Sequence, residues 1–226
     1  MLKYCYNQNK KEDFNLKIFG NIFSSKYKSI YKSIEKGNIN EIKDYLNDTN
    51  NLDSDFQLQS ILHYAIDNCQ DNYFETIQLL INSGIDINNH HSKFSETPLH
   101  RLCARSSPHM DLIMMLLEKG AKVNAVNLSG KTPIFHCNFS YSVELLNLLI
   151  KYGADINIRD KYGNTLLHDD YINCFEERFE EFLKALLDFG FNINSKNSAG
   201  LTPLDFCENK KIQNIFIRYG GTKLGI

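Results

Sequence analysis

The chain has 226 residues, 42% of them hydrophobic and 23% charged, with a formal net charge of -2 at pH 7. That length and apolar content suit a globular chain with a sizeable core, and the near-neutral balance lacks the global basicity on which nucleic-acid binding rests. No apolar run approaches the roughly 18 residues of a membrane span, and the opening MLKYCYNQNKKEDF lacks an apolar secretory core, so a cytoplasmic chain is expected.

Residues 1–26 precede any repeating pattern. Leu16, Ile18, Phe19, Ile22 and Phe23 share helical spacing, interrupted by Gly20, which predicts a short helix docking on the first repeating unit. Across residues 1–36 eight lysines stand against Glu12, Asp13 and Glu35, a local excess that reads as a solvated capping face. The next stretch, YKSIYKSIEKGNINEIKDYLN, puts Ile30, Ile34, Ile42 and Leu46 on one stripe and turns at Gly37-Asn38. Lysines cover its other side, as expected of a terminal unit with one wet face.

From Ser60 the chain falls into register. SILH at 60–63, TPLH at 97–100, TPIF at 132–135, TLLH at 165–168 and TPLD at 202–205 are separated by 37, 35, 33 and 37 residues. A hydroxyl followed by proline predicts a helix N-cap with proline at the first helical position, where a missing N–H costs nothing. The first four openings each run on to an apolar helix ending at a glycine, Gly84, Gly120, Gly153 or Gly190, where a left-handed C-cap belongs. Each unit therefore reads as helix, turn, helix, stop. Extra residues fall between the two helices of a unit, around 68–72, 105–109 and 174–181. The last of these is expected to lengthen the outer helix by a turn, with Glu176, Glu177, Glu180 and Glu181 outward. Asp170 sits in a small-residue slot, so either its helix is shifted or it has a local cation or N–H donor. TPLDFCENKKIQNIFIRYGG closes the pattern as a C-terminal cap, with Ile212, Ile215, Phe216 and Tyr219 inward.

A period near 33 with a T-P-L-H opening resembles the ankyrin repeat family. The likeness covers residues 27–222 and implies an all-α ankyrin-repeat solenoid of about six helix-turn-helix units with β-turn fingers, near 28–59, 60–96, 97–131, 132–164, 165–201 and 202–222. It further implies that His63, His100 and His168 hydrogen-bond within and between repeats. Cys103, Cys137 and Cys207 fall in the small-residue slots after the opening, where a reduced, packed thiol substitutes for alanine.

Reactive chemistry finds little support. Cys137 beside His136 is the nearest approach to a nucleophile and base, yet helix neighbours do not face each other, so no catalytic residue is expected. His100 and Cys103 lack a second pair to complete a metal site, and no phosphate-binding glycine loop or aromatic RNA-binding signature appears. Neither cofactor nor small-molecule substrate is therefore expected, and the partner should be another protein.

In the family resembled, partners bind the finger tips and the exposed positions of the inner helices. Carried onto this chain, the fingers are 90–96, 126–131, 159–164 and 196–201; the last three keep an Asn/Asp-x-x-Gly turn, and the first, HHSKFSE, does not. The candidate partner-binding residues are Lys93, Phe94, Arg105, Leu128, Lys131, Phe139, Arg159, Lys161, Tyr162, Ile172 and Lys196, a mixture of the apolar, aromatic and basic side chains that dominate interfaces. Asn88, Asn124, Asn157 and Asn194 each follow a leucine by eight residues, resembling the asparaginyl hydroxylation pattern of ankyrin repeats in animal hosts. Heavy use of Asn, Lys, Ile and Tyr, with irregular units, resembles host-directed effectors of intracellular bacteria and large DNA viruses. That likeness implies a monomer in the cytoplasm, a host cell's included, that sequesters or scaffolds a host protein. The alternatives are an IκB-like inhibitor of a transcription factor and a structural assembly subunit.

Overall fold

The computed structural model describes residues 25–47, 61–90, 94–168 and 176–224. Among these every regular element is helical: α1 Ser25–Glu35, α2 Ile39–Asn47, α3 Ile61–Asn68, α4 Tyr73–Asn82, α5 Pro98–Cys103, α6 Met110–Glu118, a 3₁₀ helix Pro133–Phe139, α7 Val143–Lys151, α8 Glu176–Asp188, α9 Pro203–Phe206 and α10 Lys210–Arg218. The docking helix expected over 1–26 lies outside the described residues, except that its last two positions begin α1. No helix among the described residues is long and apolar enough to cross a membrane.

The helices pair as the punctuation predicts. Each longer outer helix buries a stripe with helical spacing: Leu112, Ile113, Leu116 and Leu117 on α6, Leu145, Leu146 and Leu149 on α7, Phe179, Phe182, Leu183 and Leu186 on α8. Several starts carry a side-chain cap, though Asn72 and Thr132 make none. The Ser142 hydroxyl accepts the Leu145 N–H at 3.0 Å, and Asn209 Oδ1 accepts the Lys211 N–H at 2.9 Å. Ends at Gly120, Gly153 and Gly190 take φ of 89°, 88° and 83°. The following amide then reaches back to the last turn, as in Ala121 N–H to Leu116 O, 2.9 Å, and Ala154 N–H to Leu149 O, 3.0 Å. This is the double-bonded helix stop that glycine permits.

Inner helices pack on inner helices and outer on outer, so the buried residues form one continuous core from Ile30 to Phe216. Extra residues in the second and third units do lie between their helices, at 69–72 and 104–109. In the fifth unit α8 runs 13 residues against nine in α7. Two local expectations are corrected. The segment after Pro133 is a 3₁₀ rather than an α-helix: Asn138, buried in a slot suited to a small residue, turns its Nδ2 to the Leu166 carbonyl, and Tyr141 takes φ 46° to drop its ring into the core. Glu180 does not simply face water; its Oε1 meets Arg218 Nη1 at 3.0 Å and the Tyr219 hydroxyl at 2.9 Å, joining α8 to α10. Asp170 lies outside the described residues.

Candidate partner-binding surface

Three fingers are built alike, because one side chain replaces the missing backbone partners of a tight turn. In the finger at 126–131, Asn127 Oδ1 accepts the N–H groups of Ser129 (2.9 Å) and Lys131 (3.0 Å), while Gly130 N–H bonds Asn127 O at 2.9 Å. Asp160 does the same for Tyr162 and Asn164, and Asn197 for Ala199 and Leu201. Successive fingers are then stitched through the backbone. Leu128 N–H reaches Phe94 O (2.8 Å), Lys161 N–H reaches Ser129 O (3.0 Å) and Ser198 N–H reaches Tyr162 O (2.9 Å). The result is a row of tips at fixed spacing.

That construction decides which side chains face out. The carboxylate of Asp160 turns inward to the turn amides and is buried, as is Glu96 at the base of the first finger. Tyr162, Leu128, Phe94 and Val126 project with exposures of 69%, 55%, 54% and 52%. Lys161 and Lys196 are exposed beside them. The tips are thus apolar and basic, with the nearest acids facing inward. Val126 is absent from the sequence candidates, although it occupies the slot before the turn residue that Arg159 and Lys196 fill in the next two fingers; aligning the fingers by that residue finds it.

Other candidates are engaged with the scaffold. Arg105 Nη1 donates to Ile66 O at 2.6 Å and its guanidinium lies 4.9 Å from the centre of the Tyr73 ring. Arg159 Nη1 bridges Gly163 O (2.8 Å) and Lys196 O (2.7 Å), clamping two fingers together while remaining exposed. Phe139 stacks on His136, centroids 5.6 Å apart, and the Lys131 ammonium sits 5.8 Å from the centre of the Phe135 ring. Both are half-buried. Lys93 and Ile172 lie outside the described residues.

Beneath the fingers, histidines join one unit to the next finger. His63 Nε2 lies 2.8 Å from Glu96 O, His100 Nε2 3.1 Å from Lys131 O and His168 Nε2 2.9 Å from Leu201 O. Nδ1 of His100 and His168 turns back to the opening threonine, at 2.8 Å from Thr97 Oγ1 and 2.9 Å from Thr165 Oγ1. At the last opening Asp205 stands in for histidine, its Oδ2 accepting the Thr202 N–H at 2.8 Å. Burial holds His100 at about 4 and His136 at about 3, so both are neutral imidazoles near pH 7. An ion-paired cluster crosses the inner helices as well: Arg101 pairs with Asp67 (Nη2 to Oδ2, 2.5 Å) and with Glu96 (Nη1 to Oε2, 3.3 Å), while the neutral His136 ring lies beyond hydrogen-bond distance, 3.6 Å from Glu96 Oε1 to its Nε2. Burial also pushes the thiols of Cys103 and Cys137 well above their usual range. They are packed and un-ionised, not poised as nucleophiles.

The finger-base asparagines divide three to one. Asn88, Asn124 and Asn194 donate through Nδ2 to the glycine carbonyl that ends the next unit, Gly120 (3.1 Å), Gly153 (2.8 Å) and Gly220 (2.9 Å). Their Oδ1 atoms accept the N–H of Lys122, Asp155 and Thr222 at 2.7, 3.0 and 2.8 Å. The Asn157 side chain is exposed and makes no such bridge.

Comparison with known proteins agrees with this construction. The profile of ankyrin repeats in three copies matches residues 69–160. An ankyrin repeat protein of fowlpox virus (strain NVSL) is 28% identical over 66% of this chain and 45% of its own length. An ankyrin repeat protein of Acanthamoeba polyphaga mimivirus is 36% identical over 46% of this chain and 18% of its own. One from variola virus is 29% identical over 46% and 18%. The chain thus spans less than half the length of these curated relatives.

Proposed function

From the premise that this chain is an ankyrin repeat protein, whose repeats make it a protein-binding module, we propose that it holds one partner protein against the finger tips and acts as a host-directed effector. By sequestering or scaffolding a protein of the host cytoplasm, it needs no reaction of its own. Relatives from poxviruses and a mimivirus support the host-directed reading. The observation that carries the choice of surface is the row of exposed Phe94, Val126, Leu128 and Tyr162, with exposed Lys161 and Lys196 on the third and fourth fingers. Large apolar side chains rimmed by polar ones mark interaction sites.

The partner that fits presents acidic groups around an apolar or aromatic anchor. An IκB-like inhibitor that covers a basic segment would need the opposite sign of charge on the fingers, which counts against that alternative. The test is affinity purification with mass spectrometry from host lysate, comparing the full chain with the double variant Leu128→Glu, Tyr162→Glu. Both positions are exposed, so the variant should keep its helical circular dichroism and lose the specific partner. A partner retained undiminished by the folded variant would refute the finger surface. Light scattering should report a monomer; a defined oligomer would favour the assembly-subunit reading instead.

A further inference from the structure

We propose that the stack divides at one joint, between the 3₁₀-helix and α7 unit and the finger at 159–164, and that α8 to α10 with the last two fingers open and close as one cooperative block. In a stack where each unit touches only its neighbours, stability is a sum of unit and interface terms, so the weakest interface decides where partial opening occurs.

Two kinds of tie recur along the stack, and this joint lacks both. The first is the histidine that reaches the last carbonyl of the next finger, made by His63, His100 and His168. In the fourth unit the slot holds Phe135, so no ring nitrogen reaches the Asn164 carbonyl, and the Thr132 hydroxyl that histidine would have engaged is buried without a partner. The second is the asparagine bridge to the next unit's terminal glycine, made by Asn88, Asn124 and Asn194 but not by Asn157. Both losses fall on one interface.

The block beyond the joint is well joined to itself. The finger at 159–164 meets the last finger through Ser198 N–H to Tyr162 O (2.9 Å), Asn197 Nδ2 to Asn164 Oδ1 (2.8 Å) and Arg159 Nη1 to Lys196 O (2.7 Å). Toward the preceding finger it has Lys161 N–H to Ser129 O. Glu180 binds Arg218 and Tyr219, and Phe179 packs on Phe216 with centroids 5.2 Å apart, uniting α8 with α10. Across the joint, besides that Lys161–Ser129 bond and the apolar packing of α7 on α8, stand the bond from Asn138 Nδ2 to Leu166 O and the ring of Tyr141 on Phe179 and Phe182, at 5.7 and 5.4 Å. Asn138 Oδ1 is buried without a partner, so this side of the interface carries an unmet polar group as well as missing ties.

Native-state hydrogen exchange on the full chain tests the joint. The amides of Phe179–Leu186 in α8 and Ile212–Phe216 in α10 should exchange through one opening with a shared denaturant dependence, about tenfold or more faster than those of α4, α6 and α7. Exchange that grows steadily faster toward α10 would mean ordinary end fraying and would overturn the proposal, as would α8 sharing the rate of α7. Phe135→His restores a ring nitrogen between Thr132 and Asn164. Rates in α8 and α10, taken relative to α6 in the same molecule, should slow about fivefold; the ratio removes any global loss from the smaller ring. Conversely, His100→Phe should bring α7 into the fast block. If neither variant moves its ratio, the joint is not where the stack divides.

Discussion

Thr97 and Thr132 occupy the same slot with opposite consequences. The Thr97 hydroxyl accepts the His100 N–H at 3.4 Å and faces His100 Nδ1 at 2.8 Å, whereas Thr132 Oγ1 is buried with no partner. Thr97→Val should therefore cost about 1 kcal/mol, the usual value of a lost cap. Thr132→Val should be neutral or stabilising, because it removes an unmet polar group at nearly constant volume. Urea midpoints at unchanged m-value would check both. The buried histidines add a pH dependence whose sign is set by their lowered folded values. His100 at about 4 and His136 at about 3 lie below the unfolded value of about 6.5, so the unfolded chain binds more protons below that point. Stability should hold above pH 7 and fall as pH drops through 6 toward 4, by about 2 kcal/mol per histidine at pH 5. In an NMR titration the His136 ring signals should stay unshifted from pH 8 to 5; a midpoint near 6 would show that the ring is not held neutral.

At the scale of the element, finger geometry separates glycines that look equivalent in sequence. Gly130 and Gly200 both take positive φ, 76° and 80°, but a Cβ on Gly130 would lie 2.9 Å from the backbone nitrogen of Lys161, whereas one on Gly200 would meet open space. Gly200→Ala should cost about 1 kcal/mol, from the left-handed backbone alone. Gly130→Ala should cost more, on the order of 2 to 3 kcal/mol, because the neighbouring finger must move and its Lys161–Ser129 bond must lengthen. Thermal melts of the two variants side by side would decide. Capping threonines, prolines and terminal glycines made the helix pairs legible in sequence, since each satisfies local backbone groups. The 3₁₀ form of 133–139 was not legible, because it follows from how Asn138 and Tyr141 meet the next unit.

Over the whole molecule the finger row sets how a partner would be recognised. Lys161 and Lys196 are exposed while the acids near them face inward, so association should be steered by charge. Raising salt from 50 to 300 mM should slow the on-rate several-fold, and Lys161→Glu with Lys196→Glu should slow it further while leaving the melting curve unchanged. Surface plasmon resonance with the captured partner measures both; a salt-independent rate would mean that the apolar tips act alone.

The residue types alone determined the period, the glycine helix stops and the turn-making asparagines, because each of these is satisfied by groups a few positions away in the chain. Only the stacked structure decided that Arg105 anchors to the preceding unit, that Arg159 clamps two fingers, and that Asn157 alone of the four finger-base asparagines lacks the bridge its counterparts make. Each depends on contact between residues about 26 to 40 positions apart in sequence. A periodic pattern says that neighbouring units meet; it does not say which side chains meet between them.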